Sequence, residues 1–215
     1  MGRPNPNGNI PATPRAALPH SAPDPESELA GLLAQAVSGS QEAWRRIVSL
    51  YWRRVFALAR SRLRDHGIAE EVTQSVFVTV ATKLGQGEYA EQGKFEPWLF
   101  RVAVNRIRDQ VRSMRRNATA TDDDLLDARV GTPGAQPAQG ASDAALSDLR
   151  RCVAQLGDSD RQVIELRHHA GMSFAAMAAL LNEPLGTLLA RHHRALRKLR
   201  GLMEGIESGS LEDRL

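Results

Sequence analysis

The stretch Phe95 to Arg116, FEPWLFRVAVNRIRDQVRSMRR, holds the densest set of residues that could do chemistry in this chain. From Arg101 onward, Arg101, Arg106, Arg108, Arg112, Arg115 and Arg116 stand against a single acid, Asp109. Phe95, Trp98, Leu99, Val102, Ala103 and Ile107 recur at helical spacing, so one face seeks a core while another stays cationic. Pro97 suits the first turn of such a helix. A helix that is core on one side and arginine on the other suits a polyanion. The alternative is a solvated amphipathic helix, although too few acids are present to form i,i+4 pairs.

Chemistry of other kinds finds little support. There is no nucleotide-binding glycine loop, nucleophile elbow or zinc-protease helix. His168-His169 and His192-His193 are adjacent pairs whose rings point ~100° apart on a helix, so neither pair can readily share a metal. The expectation is no catalytic residue, no metal and no cofactor. Cys152 is the only cysteine, which excludes an internal disulfide and a cysteine zinc site, fits a reducing cytoplasm, and reads as a small core residue. No signal pattern opens the chain, and no apolar run approaches the ~20 residues of a bilayer span. The expectation is a cytoplasmic protein without membrane insertion.

Lys plus Arg number 28 against 25 Asp plus Glu, a net charge of only +3 in 215 residues. Acids and bases occupy different stretches, so local fields decide the partners. Residues 1–25 are rich in Pro, Asn, Gly and Ala and read as a disordered tail. Residues 26–116 form a first helical domain. A short helix carries Leu29, Leu32, Leu33, Ala36 and Val37. A long one from Gln41 carries Trp44, Ile47, Val48, Tyr51, Val55, Leu58 and Ala59. A third, Ala69 to Leu84, buries Val72, Val76, Phe77, Val80 and Leu84, with Glu70, Glu71 and Gln74 on a polar face. Its β-branched residues favour strand, but its period and acidic start favour helix. Gly85 to Lys94 is a loop containing Tyr89, and the arginine helix follows.

Residues 117–142 read as a flexible acidic linker with Asp122, Asp123, Asp124 and Asp127, spanning roughly 30 Å as a coil. Residues 143–203 form a second helical domain, followed by a short acidic tail over 204–215. In that domain Leu146, Leu149, Val153 and Leu156, then Val163, Ile164 and Leu166, read as apolar faces. Ser173 caps a helix with Met177, Ala178 and Leu181 inward. After the corner Asn182-Glu183-Pro184, a basic helix from Leu185 to Met203 places Leu185, Leu188, Leu189, His192, Leu196 and Leu199 near one face. Two helices around a tight corner, the second basic, are a helix-turn-helix, whose second helix presents side chains to major-groove base edges. The fold expected is all-α, two small helical domains joined by a linker.

Several of these stretches carry a family resemblance. AEEVTQSVF, Ala69 to Phe77, resembles the AED-x-x-Q-x-x-F helix of bacterial RNA polymerase sigma factors. FEPWLFRVAVNRIRDQVR resembles their F-x-x-WL-x-x-IA-x-N-x-x-x-D-x-x-R element. Leu156 to Arg200 is similar to their C-terminal domain. Order and size match the extracytoplasmic-function (ECF) subgroup over roughly Glu28 to Met203. The resemblance implies a factor that brings RNA polymerase core to promoter DNA and helps melt it, with an anti-sigma factor as a further candidate partner. It implies that Glu70, Glu71 and Gln74 dock on the polymerase clamp. Asn105 would take a base flipped from the minus-ten element, with Tyr89 offering an aromatic to it. Arg108, Arg112, Arg115 and Arg116 would hold single-strand phosphates. Thr187, Arg191, His193, Arg194 and Arg197 would face the minus-thirty-five duplex. Leu189 and Ala190 depart from the family, which usually has a basic residue and a serine there. Two other readings remain at this point: a helix-turn-helix regulator that acts without polymerase, and an enzyme with a DNA-binding tail.

Overall fold

The computed structural model describes residues 25–90, 92–121 and 140–212. All regular structure among the described residues is helical: α1 (Pro25–Val37), α2 (Gln41–Leu63), α3 (His66–Gly85), α4 (Phe95–Thr121), α5 (Gly140–Ala154), α6 (Asp158–His168), α7 (Phe174–Leu181) and α8 (Leu185–Glu212). The N-terminal tail and Asp122, Asp123, Asp124 and Asp127 of the expected linker lie outside the described residues.

The N-terminal helices form where their apolar stripes predict. Ser40 starts α2 by accepting from the Ala43 N–H. Ile47, Tyr51, Val55, Leu58 and Ala59 then face the core. Arg64 leaves the helix in the left-handed region, φ 61°. Asp65 caps α3, its Oδ1 accepting from Ile68 N–H at 2.8 Å. This cap starts α3 at His66, three residues earlier than the sequence suggests. The β-branched content of α3 is absorbed locally: Thr73, Thr79 and Thr82 donate their hydroxyls to the carbonyls four residues back, at 2.7–2.9 Å. Ala69, Val72, Val76, Phe77, Val80 and Leu84 are buried. In α4 the buried set is Phe95, Leu99, Phe100, Ala103 and Ile107, while Trp98 and Val102 are half-buried.

Several boundaries differ from the sequence reading. Helix α4 runs on through Thr121 and α5 begins at Gly140, so helix takes both ends of the stretch read as linker. No glycine or proline stands between Arg116 and Gly131 to stop α4. Helix α8 continues from Met203 to Glu212 despite Gly201, Gly205 and Gly209, each ~1 kcal/mol worse than Ala in a helix. Leu202, Met203 and Ile206 pack on a small core of Cys152, Leu156, Ile164, Ala195 and Leu199, and this packing outweighs the propensity of the first turns beyond Arg200. The expected inward face of α8 is only half right. Leu188 and Leu199 are buried with Ala195, but Leu185, Leu189 and Leu196 are 46%, 36% and 40% exposed. Leu146 and Leu149 on α5 are exposed as well.

The C-terminal domain is not held apart from the first. Val163, Leu166, Ala170, Met172, Met177, Leu180 and Leu188 share one core with α1–α4. Helix α7 lies along α4, and α6 approaches α2.

The Asp65 cap gives a direct test of the α2–α3 corner. Asp65→Ala should lower stability by about 1 kcal/mol, and Asp65→Asn should restore most of it. Urea unfolding followed by circular dichroism measures both; equal midpoints for the Ala variant and the parent would contradict the cap.

Candidate nucleic-acid and polymerase interfaces

One face of α4 gathers the cationic site. Asn105, Arg108, Arg112 and Arg116 stand at i, i+3, i+7 and i+11, so they form one stripe along the helix. All four are exposed, as is Arg115 beside them. The opposite face is fixed by the buried Phe95, Leu99, Ala103 and Ile107, which makes the stripe rigid. Trp98 lies two turns before Asn105 on the same stripe, about 10 Å along the axis. Its ring leans on Tyr89, with centroids 4.6 Å apart, and both pack on Phe95. Tyr89 and Trp98 thus make a half-buried aromatic shelf at the head of the stripe. Trp98 keeps the apolar phase, and nothing in the sequence pattern marks it as a surface residue.

The polar face of α3 also stands in solvent. Glu70, Glu71 and Gln74 are exposed, and Val78, one turn beyond Gln74, is 65% exposed. An apolar residue this open beside three polar ones extends the face by a turn; the apolar content of α3 masks it in the sequence.

In the helix-turn-helix, Ser173 accepts from the Ala176 N–H at 3.0 Å, and Asn182 closes α7 in the left-handed region. Thr187, His193, Arg194 and Arg197 are exposed on α8. Arg191 is not: it forms a two-pronged ion pair with Glu183, Nη2 to Oε2 at 2.7 Å and Nη1 to Oε1 at 3.0 Å. It braces the corner to the recognition helix. His192 also turns inward, its Nε2 3.2 Å from His168 Nε2 and its ring edge-on to Phe174.

Arginines of the first domain clamp the second. Arg54 donates from Nε to the Ala170 carbonyl at 2.6 Å, just past the end of α6, and forks onto Glu96 at 2.8 and 3.0 Å. Its guanidinium also stands 5.1 Å from the Phe100 ring and 5.4 Å from the Tyr51 ring. Arg101, on α4, donates to the Ala179 and Leu180 carbonyls at 3.0 and 3.2 Å, at the end of α7. Each arginine meets the negative end of a helix. Arg62 pairs with Glu165, a carboxyl in the core whose burial pushes its pKa up against the opposing pull of Arg62. The sequence places Arg54 and Arg62 merely off the apolar face of α2.

Comparison with known proteins decides the family. Sigma-70 region 2 matches residues 47–117, and Sigma-70 region 4 matches residues 152–201. The ECF RNA polymerase sigma factor SigK of Mycolicibacterium vanbaalenii is 31% identical over 180 residues, covering 81% of this chain and 88% of the relative. The chain belongs to the ECF sigma factor family. It is therefore a factor that directs RNA polymerase to promoters, and sigma factors as a class are initiation factors without chemistry of their own. SigK of Mycobacterium ulcerans is 29% identical over 188 residues, covering 85% of this sigma factor and 97% of that one. The solved structure of CnrH in complex with the cytosolic domain of CnrY aligns at TM-score 0.60 and 26% identity, over 81% of this chain and 96% of CnrH. The sigma factor RpoE of Bartonella quintana, solved with the anti-sigma factor NepR, shares the fold at TM-score 0.57 and 24% identity, over 74% of this chain and 96% of RpoE. No helix among the described residues is long and apolar enough to cross a membrane.

Partial burial lowers the pKa of His192, and the neighbouring His168 adds to the shift. A folded-state pKa below the unfolded one means the neutral ring contributes stability above the ordinary histidine value of ~6.5, and that this is lost as pH falls toward the folded value. The melting temperature at constant salt should therefore drop between pH 7.5 and 5.5. His192→Phe should flatten that drop; an unchanged slope would contradict the assignment.

Proposed function

We propose that this sigma factor divides promoter recognition between its two domains and works by binding alone, in the cytoplasm. Residues 26–116 dock on polymerase core through Glu70, Glu71 and Gln74, and trap the opened minus-ten strand along α4. Asn105 takes a flipped base near the Tyr89 shelf, and Arg108, Arg112, Arg115 and Arg116 hold phosphates. Stacking of ~1–3 kcal/mol per base offsets part of the unpairing cost. Residues 143–203 hold the minus-thirty-five duplex through Thr187, His193, Arg194 and Arg197, with Arg191 positioning α8 through Glu183. Leu189 and Ala190 offer apolar contact of the kind that meets thymine methyls. The observation that carries this reading is the single rigid stripe of Asn105 and arginines on α4. A regulator acting without polymerase has no use for a region 2 domain, and the match over residues 47–117 favours the sigma reading over it.

The same stripe supports a closed resting form. Arg101 is engaged by α7, and Arg108, Arg112 and Arg115 face α6 across a cleft. Elements about 25 base pairs apart are separated by about 85 Å of B-form DNA. Domains that share a core cannot reach both, so promoter binding requires them to part. An anti-sigma partner, as NepR is to RpoE, would act on this equilibrium.

Asn105→Ala should spare closed-complex formation and impair melting, read by permanganate reactivity. Arg194→Ala should weaken closed-complex affinity and reduce its log–log salt slope by about one unit. Equal loss of closed binding in both variants, with melting of the bound fraction intact, would overturn the division.

A further inference from the structure

Closure of the second domain leaves a cavity of about 350 Å³ between α2, α4 and α6, within the usual range for small-molecule sites. Its floor is apolar, made by Leu58, Val104, Ile107, Val111 and Leu166. Its walls carry five guanidinium groups, those of Arg62, Arg108, Arg112, Arg115 and Arg161, against two carboxylates, Asp158 and Glu165. Both carboxylates are already taken, Glu165 by Arg62 and Asp158 by Arg161. Arg108 and Arg112 have no acidic partner among the described residues. Arg161 Nε is buried with no hydrogen-bond partner. Guanidinium groups do not shed their protons, so the closed form crowds an excess of positive charge into a partly enclosed space.

We propose that this cavity binds a nucleoside di- or triphosphate, its phosphates held by Arg108, Arg112 and Arg161 and its base on the apolar floor, and that this ligand holds the two domains closed. The regulatory half rests on the reading that the two domains must part to engage a promoter. A free nucleotide then competes with the promoter strand for the same arginines. The geometry suits a flat apolar group joined to a compact polyanion. Orthophosphate alone would meet the charge but leave the floor empty.

The test uses the full chain, without DNA or polymerase. GTP, ATP, pyrophosphate and sodium chloride are titrated at matched ionic strength, with binding read by calorimetry and closure by thermal melting. A nucleoside triphosphate should bind saturably and raise the melting temperature, and chloride should not. Arg112→Gln and Arg161→Gln should each weaken binding about tenfold or more, as expected for loss of a charge-assisted contact. Arg53→Gln, on the exposed side of α2, should leave it unchanged. Equal shifts with chloride, or full affinity in both cavity variants, would overturn the site. Pyrophosphate binding as tightly as GTP would overturn the nucleotide assignment. Because no DNA is present, saturable binding stands even if the Asn105 and Arg194 variants fail to separate melting from duplex binding.

Discussion

Arg54 is the contact on which the closed molecule turns. It sits on α2 between the core residues Tyr51 and Val55, and must place a charge that never titrates beside a hydrophobic interior. Glu96 takes two of its nitrogens and the Ala170 carbonyl takes the third, while Tyr51 and Phe100 present their rings to it. One guanidinium therefore ties the start of α4 to α2 and the end of α6 to both. The chain leaves α6 through Gly171, at φ +64°, where an added side chain would be strained and its Cβ would stand 3.5 Å from Arg54 Nε. Removing Arg54 would leave Glu96 half-buried without its partner and the α6 terminus without a donor, so the clamp is costly to break from either side.

In the closed form the second domain packs against one flank of α4. The α4 helix is amphipathic in the ordinary sense, and its polar face is divided: α7 engages Arg101, and the arginines beyond it stay exposed. In the closed form, the helix end at Ala179 and Leu180 takes Arg101, while Arg108, Arg112 and Arg115 stay exposed and line a cleft whose other wall is α6. In the proposed promoter-bound form Arg108, Arg112 and Arg115 would hold phosphates. The end of α7 offers Arg101 the partial negative charge of its carbonyls, and a promoter would offer the exposed arginines a polyanion. Arg54, Arg62 and Arg101 thus hold the molecule shut, while the arginines proposed to bind DNA lie beside the closure.

The helices, their buried stripes and the polar face of α3 were legible because amphipathic period and capping residues are local signals. The caps at Ser40 and Ser173 fall where helix starts would place them, and Asp65 starts α3 a turn early. The exposed Leu185, Leu189 and Leu196 were not legible. Periodicity finds an apolar half of α8, but only the Leu188, Ala195 and Leu199 edge meets its neighbours. The domain contacts were hidden for a different reason. Arg54 and Arg101 reach backbone carbonyls at Ala170, Ala179 and Leu180, and a carbonyl acceptor leaves no mark on residue type. Arg191 carried the opposite ambiguity: a basic residue on a recognition helix looks like a DNA contact, yet Glu183 eight residues earlier takes its charge. The sequence also joined the family through several collinear motifs, and these include faces of α3, α4 and α8 that the fold leaves open.

Closure and promoter engagement should exclude each other. Single-molecule energy transfer between dyes at Arg46→Cys on α2 and Lys198→Cys on α8, both exposed, tests it most directly in a Cys152→Ala background. The free chain should show one short distance. The complex with polymerase and promoter should show a distance longer by tens of ångströms, toward the span of about 85 Å between the two elements. Arg54→Ala should populate the longer distance without any partner. The same short distance in the free chain and in the promoter complex would contradict the account.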